Sequence, residues 1–445
     1  MHNHHVTNNS LTGGCSNGTW QTIVEPTCFA VHIKDLGYNT FFSGKYLNKY
    51  GTKNTGGVEH IPAGWDSWFG LVGNSKYYNY SISNNGKEET HSDNYYNDYY
   101  TDLIKNQSLK WLTEYNTLDV PFLMMMATPA AHGPFTPAPQ YANASNATAP
   151  RIPNYNDVID NKGKHNLFRE YITTPMTAQQ MASVDKTYEH RHETLMSVDD
   201  MINDIYNLLE QKGLLNNTYF VFFSDNGFHS GQFGQPGDKR QLYENDIRVP
   251  LYFSGPGIPK GYTTDMIGVN VDLGPTIIEL AKGTIPEYMD GLSLVPYLFD
   301  AKYQYQNDRV DDANLNVSVK QQFLVEYYGE SGDGPNGVHG SGTRPGDSWN
   351  NTYQCVRMID GIDGYVNGTI YCQFKCFALD THVEVVCPDS TLPQFYGEFY
   401  NLDNDYYEIN NTMLNLSPSV NQTYRNMLKS FMSCSGQQEC NSLRH

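Results

Sequence analysis

Three features that would direct this chain to other protein classes are absent from its 445 residues. There is no run of about twenty apolar residues, so the sequence predicts no membrane-spanning helix. Positive charge is scarce: 29 Lys and Arg stand against 48 Asp and Glu, for a formal net charge of −19. Without a basic stripe to neutralise phosphates, a nucleic-acid partner is not expected. Met1 is followed by His-Asn-His-His rather than by a basic and then apolar stretch, so no signal peptide is recognised.

The composition that is present favours a folded, secreted type of protein. Aromatic residues make up 13% of the chain, which is too many for a disordered protein. Six of the eight cysteines lie in the last hundred residues and predict disulfides in a small, loop-rich module. A zinc site formed by Cys372 and Cys376 is the alternative, although the spacing fits no structural zinc pattern well. Together with many N-x-S/T sequons, the cysteines favour an oxidising compartment, so we expect a leader segment upstream of Met1.

The order of the apolar segments predicts a mainly parallel α/β sheet covered by helices. Val120 to Thr128 is a short apolar run that is typical of a buried strand. Apolar residues then recur at helical spacing from Leu195 to Leu209, and Gly213 stands where a helix C-terminal cap would. A second buried strand is predicted from Thr218 to Phe223. We expect one large domain over residues 1–300 and a smaller, mostly antiparallel domain over 301–445, where Asn, Gly, Tyr and Cys become frequent.

Two sites for chemistry follow directly after the predicted strands. His132 comes after the first strand, and Asp225-Asn226-Gly227 comes after the second. The ligands of such sheets gather at the carboxyl ends of strands. Asp225 and Asn226 offer the oxygen ligands that Ca²⁺ prefers, although the same tripeptide is a common turn. A single histidine after a strand is also more often structural than catalytic, so the tripeptide and His132 are candidates only.

Longer segments around these residues resemble the sulfatase family. The run from Phe223 to Gly257 is similar to the metal-binding segment of sulfatases. In that family an Asp-Asn pair binds Ca²⁺, and a lysine just before a Tyr-Glu dipeptide contacts the sulfate. The resemblance therefore implies that Asp225 and Asn226 are metal ligands and that Lys239 binds sulfate.

Two further segments extend the resemblance. Gly37 to Gly51 resembles the second signature of the family, in which the lysine, here Lys45, holds a sulfate oxygen. The stretch after the first strand is similar to the place where sulfatases carry a histidine that bonds the leaving oxygen. His132 is thereby implied as the general acid. His229 is a weaker candidate for lining the substrate site.

The resemblance implies an alkaline-phosphatase-like fold, a mainly parallel sheet flanked by helices with a smaller, mostly antiparallel C-terminal domain. The implied activity is hydrolysis of sulfuric esters, with removal of 6-O-sulfate from N-acetylglucosamine in glycosaminoglycans as the expected reaction. One Ca²⁺ ion is the implied cofactor, a sulfated glycosaminoglycan or sulfated N-acetylglucosamine the partner, and the lysosome or secretion the location. Cys434 and Cys440 lie in a tail that also resembles sulfatases, and their spacing suits a local disulfide.

The sequence departs from the family in its nucleophile. Sulfatases use a formylglycine made from the Cys or Ser of C/S-x-P-S-R, and this chain has no such motif. The nearest string begins at Cys387 and has the wrong order. We therefore expect no nucleophile and no activity in the chain as given, with the motif upstream of Met1. A truncated, non-catalytic glycan-binding relative stays open, as does a phosphatase or phosphodiesterase of the same superfamily with two Zn²⁺ ions.

Overall fold

The computed structural model describes residues 20–115, 120–158, 163–165, 167–168, 172–263, 267–299, 322–329, 351–359, 368–377, 384–385 and 397–443. Its strands in these ranges are β1 (Asn39–Lys45), β2 (Ser67–Leu71), β3 (Tyr80–Asn84), β4 (Lys87–His91), β5 (Phe122–Ala127), β6 (Phe220–Phe223), β7 (Leu251–Ser254), β8 (Gln322–Tyr327), β9 (Tyr353–Met358), β10 (Thr369–Phe374), β11 (Cys376–Phe377), β12 (Glu384–Val385) and β13 (Gly397–Asn401). Its α-helices in the same ranges are α1 (Phe29–Asp35), α2 (Tyr95–Asp98), α3 (Tyr100–Glu114), α4 (Ala178–Gln211), α5 (Glu244–Ile247), α6 (Leu273–Leu280), α7 (Val295–Leu298), α8 (Pro418–Ser433) and α9 (Gln437–Ser442).

The large sheet is parallel at its centre and antiparallel towards one edge. Its strand order is β4-β3-β2-β1-β5, and β1 runs parallel to both β2 and β5. Strands β3 and β4 continue the sheet as an antiparallel hairpin. Helices lie on both faces, so the prediction of an α/β sheet flanked by helices is confirmed.

Alternating side chains of β1 serve the two cores on either side of the sheet. Phe41 packs on Trp111 of α3, with ring centroids 5.1 Å apart. The next residue, Phe42, faces the opposite side and stacks on Trp68 at 4.5 Å. Because successive strand residues point to opposite faces, an apolar run such as this one is required where helices cover both sides.

Helix α4 is the long connection between β5 and β6. It begins after Thr177, whose hydroxyl and main-chain N–H form a capping box with Gln180. It ends before Gly213, which has a φ of 70° and donates its N–H to the Glu210 carbonyl at 2.9 Å. A left-handed residue at this position is the usual helix stop, so the predicted cap at Gly213 is confirmed.

The two strands that the sequence predicts to be buried are only partly covered. Every residue of β5 is of intermediate exposure, and Phe222 and Phe223 of β6 are 40% and 36% exposed. Among the described residues, β5 pairs only with β1, and β6 pairs only with β7. A cavity of about 2340 Å³ is lined by both strands. Met124, Met126 and Phe220 pack against the core formed with α3 and α4, and the cavity leaves these side chains partly exposed. The prediction of apolar strands at β5 and β6 is confirmed, and the prediction that they are fully buried is wrong.

A second sheet is antiparallel throughout, with strand order β13-β10-β9-β8. Cys355 and Cys372 stand opposite each other on β9 and β10 and form a disulfide. Because the sulfur of Cys372 is bonded to Cys355, the zinc alternative is wrong for that residue. Cys434 and Cys440 form the expected local disulfide after α8.

The outer edge of the large sheet is charged. All residues of β4 from Lys87 to Thr90 are exposed, and they read Lys-Glu-Glu-Thr. Charged side chains at an edge strand discourage pairing with another chain. In the described part of the chain, no helix is both long and apolar enough to cross a membrane.

A buried ionic cluster joins the antiparallel sheet to the rest of the molecule. The Lys164 ammonium donates to the Tyr400 hydroxyl at 2.9 Å and lies 4.5 Å from the centroid of the Tyr243 ring. Glu398 accepts from the His165 main-chain N–H at 2.6 Å and from the two tyrosine hydroxyls at 3.0 and 2.7 Å. Burial alone would raise the pKa of Glu398, but His165, Lys164 and Tyr400 hold it at about 2.

We expect Glu398→Gln to destabilise the fold by about 3 kcal/mol at neutral pH, because it leaves Lys164 buried without its countercharge. A depressed carboxyl pKa contributes stability above the ordinary value of 4.5, and this contribution is lost as the pH falls towards about 2. The variant should therefore lose less stability than the natural chain between these limits. Urea unfolding midpoints across the pH range measure this, with the exposed Glu88→Gln as the control. Parallel pH profiles for the natural chain and Glu398→Gln would contradict the assignment.

Candidate active site

The cavity between β5 and β6 collects the residues that the sequence singled out at strand ends. Lys45 is the last residue of β1, His132 lies in the loop after β5, and Asp225 and Asn226 follow β6. All four line the cavity, together with Lys239. Four separate segments thus bring two ammonium groups, one imidazole, one carboxylate and one amide to a single concave surface.

Gly44 sets the position of Lys45. The preceding glycine has a φ of 128°, and a Cβ atom built there would lie 2.0 Å from the Ala127 carbonyl oxygen of β5. Only glycine lets the two strands approach this closely. Lys45 consequently leaves the end of β1 directly beside the end of β5. The Gly-Lys dipeptide is therefore a structural requirement of the sheet as well as a chemical one.

Burial and two neighbouring charges change the pKa of the Lys45 ammonium. Burial lowers the pKa of Lys45, the Asp225 carboxylate raises it, and the Lys239 ammonium lowers it further. An opposite charge and a like charge thus act on the same group. The pairing of two cations in a partly dehydrated cavity is favourable only with an anion between them.

His132 is held by its own loop. Its main-chain N–H donates to the Pro129 carbonyl at 2.7 Å, and its Nδ1 lies 2.9 Å from the Gly133 carbonyl. The Tyr77 hydroxyl lies within 3.2 and 3.0 Å of the carbonyls of Pro129 and His132. Because a carbonyl only accepts, Nδ1 carries a proton, and Nε2 is the ring atom left to exchange one.

Electrostatics keep the His132 imidazole neutral in the free protein. Burial lowers its pKa, and the ammonium groups of Lys239 and Lys45 lower it further. The bond to Gly133 and the Asp225 carboxylate act in the opposite direction. An anion bound between the lysines would offset their charge and favour the protonated imidazole.

The turn after β6 fixes Asp225 and Asn226. The Asn226 N–H donates to Asp225 Oδ1 at 2.9 Å, and its Nδ2 donates to the Gly227 carbonyl at 2.8 Å. A side chain at Gly227 would collide with the Asn245 carbonyl, 2.1 Å from the added Cβ. Asn270, which sequence reasoning missed, donates to the Asp225 carbonyl at 3.1 Å. A lone asparagine before a helix carries no signal that would have revealed this contact.

The side-chain oxygens of Asp225 and Asn226 match the ligands of Ca²⁺ in kind but not in number. Carboxylate and amide oxygens are of the right kind, but Ca²⁺ takes roughly six to eight oxygens. In the described ranges, no group of three or more His, Cys, Asp and Glu side chains is placed to hold a metal. Asp225 and Asn226 therefore fit as part of a calcium shell and do not make a full shell by themselves.

Lys239 lies in a loop that is tied down on both sides. Its neighbour Arg240 makes an ion pair with Asp238 at 3.0 Å, and the Arg240 carbonyl accepts from Asn351 at 2.9 Å. The following Gln241 N–H donates to Asp246 at 2.9 Å. These contacts hold the main chain of Lys239 while its side chain reaches the cavity.

His229 occupies a different position from the other predicted residues. It is 2% exposed, and its Nδ1 lies 3.0 Å from both carboxylate oxygens of Asp246. It does not line the cavity. The contacts indicate that His229 supports the loop carrying Lys239, because Asp246 accepts from that loop as well. A substrate contact by His229 stays a prediction without support in the geometry.

Arg191 of α4 also lines the cavity, and sequence reasoning did not select it. Its guanidinium carbon lies 3.9 Å from the centroid of the Phe228 ring. The helical pattern places residue 191 on the same face as Leu195, four residues on, which also lines the cavity. An arginine on a helix face that is otherwise apolar was the available signal.

Comparison with known sequences and structures gives consistent relatives. The family model described as sulfatase matches residues 1–284. N-acetylglucosamine-6-sulfatase of Capra hircus is 42% identical over 449 aligned residues, covering 98% of this chain and 74% of the relative. The Homo sapiens protein of that name is also 42% identical with the same coverage. An extracellular sulfatase SULF-1 homolog of Drosophila melanogaster is 38% identical over 74% of this chain and 29% of its own length.

Solved structures show the same fold at lower identity. BT4656 in complex with its substrate D-glucosamine-2-N,6-O-disulfate has a TM-score of 0.62 and 22% identity, covering 93% of this chain and 82% of that one. A phosphonate monoester hydrolase of Agrobacterium radiobacter has a TM-score of 0.61 and 14% identity, with 91% and 79% covered. The expected fold is thereby confirmed. Because an enzyme with another substrate shares it, the fold alone does not fix the reaction.

Proposed function

This chain belongs to the sulfatase family, and we propose that it binds 6-O-sulfate esters on N-acetylglucosamine residues of glycosaminoglycans and supplies the sulfate-binding and proton-donating groups for their hydrolysis. The C/S-x-P-S-R nucleophile motif is absent from its 445 residues, so the attacking group has to come from outside this sequence. The observation that carries the proposal is the joint placement of Lys45, Lys239, His132 and Asp225 on one cavity at the strand ends. Two cations and an acid–base group around one space suit a small tetrahedral oxyanion attached to a neutral alcohol. The relatives with 42% identity carry the name of this activity.

The two lysines would bind the sulfate group. Each ammonium donates to a non-bridging sulfate oxygen and stabilises the charge that develops as the sulfur–oxygen bond breaks. Burial is the main cause of the lowered pKa of Lys45, the Asp225 carboxylate acts against it, and the like charge of Lys239 adds to it. The two ammonium groups therefore oppose each other in the free protein. Binding an anion between them removes this opposition, which favours sulfate over a neutral ligand.

His132 would protonate the departing sugar oxygen. A sugar hydroxyl is a poor leaving group, so its departure needs a proton at the moment of cleavage. The imidazole is neutral in the free protein because burial and the lysines lower its pKa. The negative charge of the bound ester favours the protonated imidazole, so substrate binding converts His132 into the form that can donate a proton.

Asp225 and Asn226 would contribute to a Ca²⁺ site, with other ligands coming from water or from further parts of the protein. Bound Ca²⁺ supplies positive charge next to the sulfate. The alternative of a phosphatase with two Zn²⁺ ions is less favoured, because the sequence match is to sulfatases and the likeness to a phosphonate hydrolase extends only to the fold.

Entry into the secretory pathway, to the lysosome or to the outside of the cell, fits the disulfides Cys355–Cys372 and Cys434–Cys440. Such bonds persist in oxidising compartments and are rare in the cytosol.

The first test concerns the lysines. We expect Lys45→Ala and Lys239→Ala to weaken binding of N-acetylglucosamine 6-sulfate by about 10- to 100-fold, because each removes a charge-assisted hydrogen bond. Isothermal titration calorimetry measures the dissociation constant, and turnover of the same sugar is followed in parallel. The exposed Lys87→Ala is the matched control. Unchanged binding in either cavity variant would remove that lysine from the sulfate site, and failure of the natural chain to bind the sugar would defeat the proposed function.

The second test separates the roles of His132 and the lysines. In active protein, we expect His132→Gln to lower kcat for the sulfated sugar by about 100-fold or more. An activated aryl sulfate has a better leaving group, so its hydrolysis should fall much less. The ratio of the two losses is the measurement, with His91→Gln, outside the cavity, as the control. Equal losses on the sugar and aryl esters are incompatible with a general-acid role.

The third test concerns calcium. We expect Ca²⁺ at tenfold its dissociation constant to raise Tm by about 1–3 °C, because binding at that concentration adds only about 1.4 kcal/mol to the stability of a long chain. Asp225→Ala should abolish the gain, while the exposed Asp93→Ala should retain it. Differential scanning calorimetry with CaCl₂, MgCl₂ or chelator measures the shift. A gain that persists in Asp225→Ala would place the ion elsewhere.

A further inference from the structure

Besides Lys45 and Lys239, the cavity is lined by four further cations, Arg191, Arg240, Arg248 and Lys282, and of these Arg191 lies on helix α4. It projects from the face of α4 that carries Leu195 and Val198, both of which line the same cavity. Its guanidinium carbon lies 3.9 Å from the centroid of Phe228, two residues after Asn226. Phe228 in turn contacts Phe135 edge-on at 6.0 Å. Arg191 is therefore placed where the loop after β5 and the loop after β6 meet.

Arg191 lacks the carboxylate partner that several other described arginines have, whereas Arg248, which also lines the cavity, donates to the Tyr406 hydroxyl at 2.8 Å. Arg151, Arg240 and Arg357 each make an ion pair with a carboxylate, at 2.6, 3.0 and 2.8 Å. Arg191 makes no ion pair within the ranges that the structure describes. A partly buried guanidinium without a carboxylate is unfavourable unless a ligand supplies the anion.

Electrostatics separate Arg191 from the sulfate-binding lysines. Burial lowers its pKa to about 10, and the hydroxyls of Tyr77 and Tyr188 act against that shift. It is a cation at neutral pH all the same. The charges that act on His132 are instead those of Lys239, Lys45 and Asp225. Arg191 thus lies on a different element from the lysines: it belongs to α4, whereas Lys45 ends β1 and Lys239 lies in the loop after β6.

We propose that Arg191 binds a second oxyanion of the substrate, a sulfate or carboxylate other than the ester that is hydrolysed, and thereby selects multiply charged glycans. The inference rests on the proposed function, since it concerns the same cavity. A planar guanidinium with five N–H donors matches both sulfate and carboxylate in a bidentate geometry. The Arg191 guanidinium lies over the Phe228 ring, and this contact restricts the side chain before a ligand binds. Little side-chain freedom is therefore lost on binding.

The test compares three ligands that share the 6-sulfate and differ in whether and where they carry a second negative charge. N-acetylglucosamine 6-sulfate has none, glucosamine-2-N,6-O-disulfate has an N-sulfate, and 6-sulfated N-acetylglucosamine linked to glucuronate has a carboxylate. We expect Arg191→Gln to raise the dissociation constant of at least one doubly charged ligand by about 10- to 100-fold. Binding of the singly charged sugar should change by less than about threefold. The doubly charged ligand that loses affinity identifies the group that Arg191 recognises.

Controls distinguish recognition from a structural role. Arg191→Lys keeps the positive charge but lacks the planar guanidinium with its paired N–H donors. Its affinity for the doubly charged ligand should lie between those of Arg191→Gln and the natural chain. Arg151→Gln removes an arginine that also stacks on an aromatic ring, at 4.1 Å from Tyr155, but is paired with Asp185 and lies outside the cavity. It should leave all three affinities unchanged. Where turnover is measured, Arg191→Gln should raise KM for the doubly charged substrate and leave kcat within about twofold.

Two outcomes have different meanings. If the natural chain binds none of the three sulfated sugars, the proposed function fails. If the natural chain binds them and Arg191→Gln weakens all three by the same factor, or none of them, the proposed function stands and the second-anion site is refuted. A fall in Tm with unchanged ligand preference would likewise show that Arg191 only supports Phe228.

Discussion

The close contact between β1 and β5 is the constraint on which the candidate active site depends. A Cβ atom at Gly44 would lie 2.0 Å from the Ala127 carbonyl, so the two strands pair in register only because residue 44 has no side chain. The next residue along β1 is Lys45, and the residues after Ala127 form the loop of His132. A backbone requirement in the middle of a parallel sheet thereby places a cation and an imidazole beside each other. The chemistry at the edge of the cavity is a consequence of how tightly the sheet packs inside.

The cavity is far less acidic than the molecule as a whole. The chain has a formal net charge of −19, yet six Lys and Arg side chains line the cavity against five Asp and Glu, with Lys45, Lys239 and Arg191 among the cations. Walls of low polarity strengthen the field of the few charges within them, so a local concentration of cations outweighs a distant excess of carboxylates. An acidic surface and an anion-binding cavity are therefore compatible.

The sequence predicted those features that depend on local order along the chain. Apolar runs located β5 and β6, helical spacing located α4, and Gly213 marked where α4 ends. Resemblance to a family then assigned roles to residues that the structure gathers at one cavity. Residues selected only by three-dimensional packing were not predicted: Asn270 supports a carbonyl 45 positions away, and Glu398 is buried against His165 from 233 positions away. The exposure of Phe222 was also missed, because an apolar run does not reveal what lies next to it.

The charged strand β4 has a consequence for how the protein behaves at high concentration. A sheet edge grows by adding a strand from another molecule, and Lys87, Glu88 and Glu89 would each have to be stripped of water for that to happen at β4. Polymerisation of the large sheet through that edge is accordingly suppressed. Among the residues that the structure describes, β5 is the strand at the other end of this sheet, and it reads Phe-Leu-Met-Met-Met-Ala without such charges. Contact between two copies of this protein is therefore expected to use surfaces other than the β4 edge.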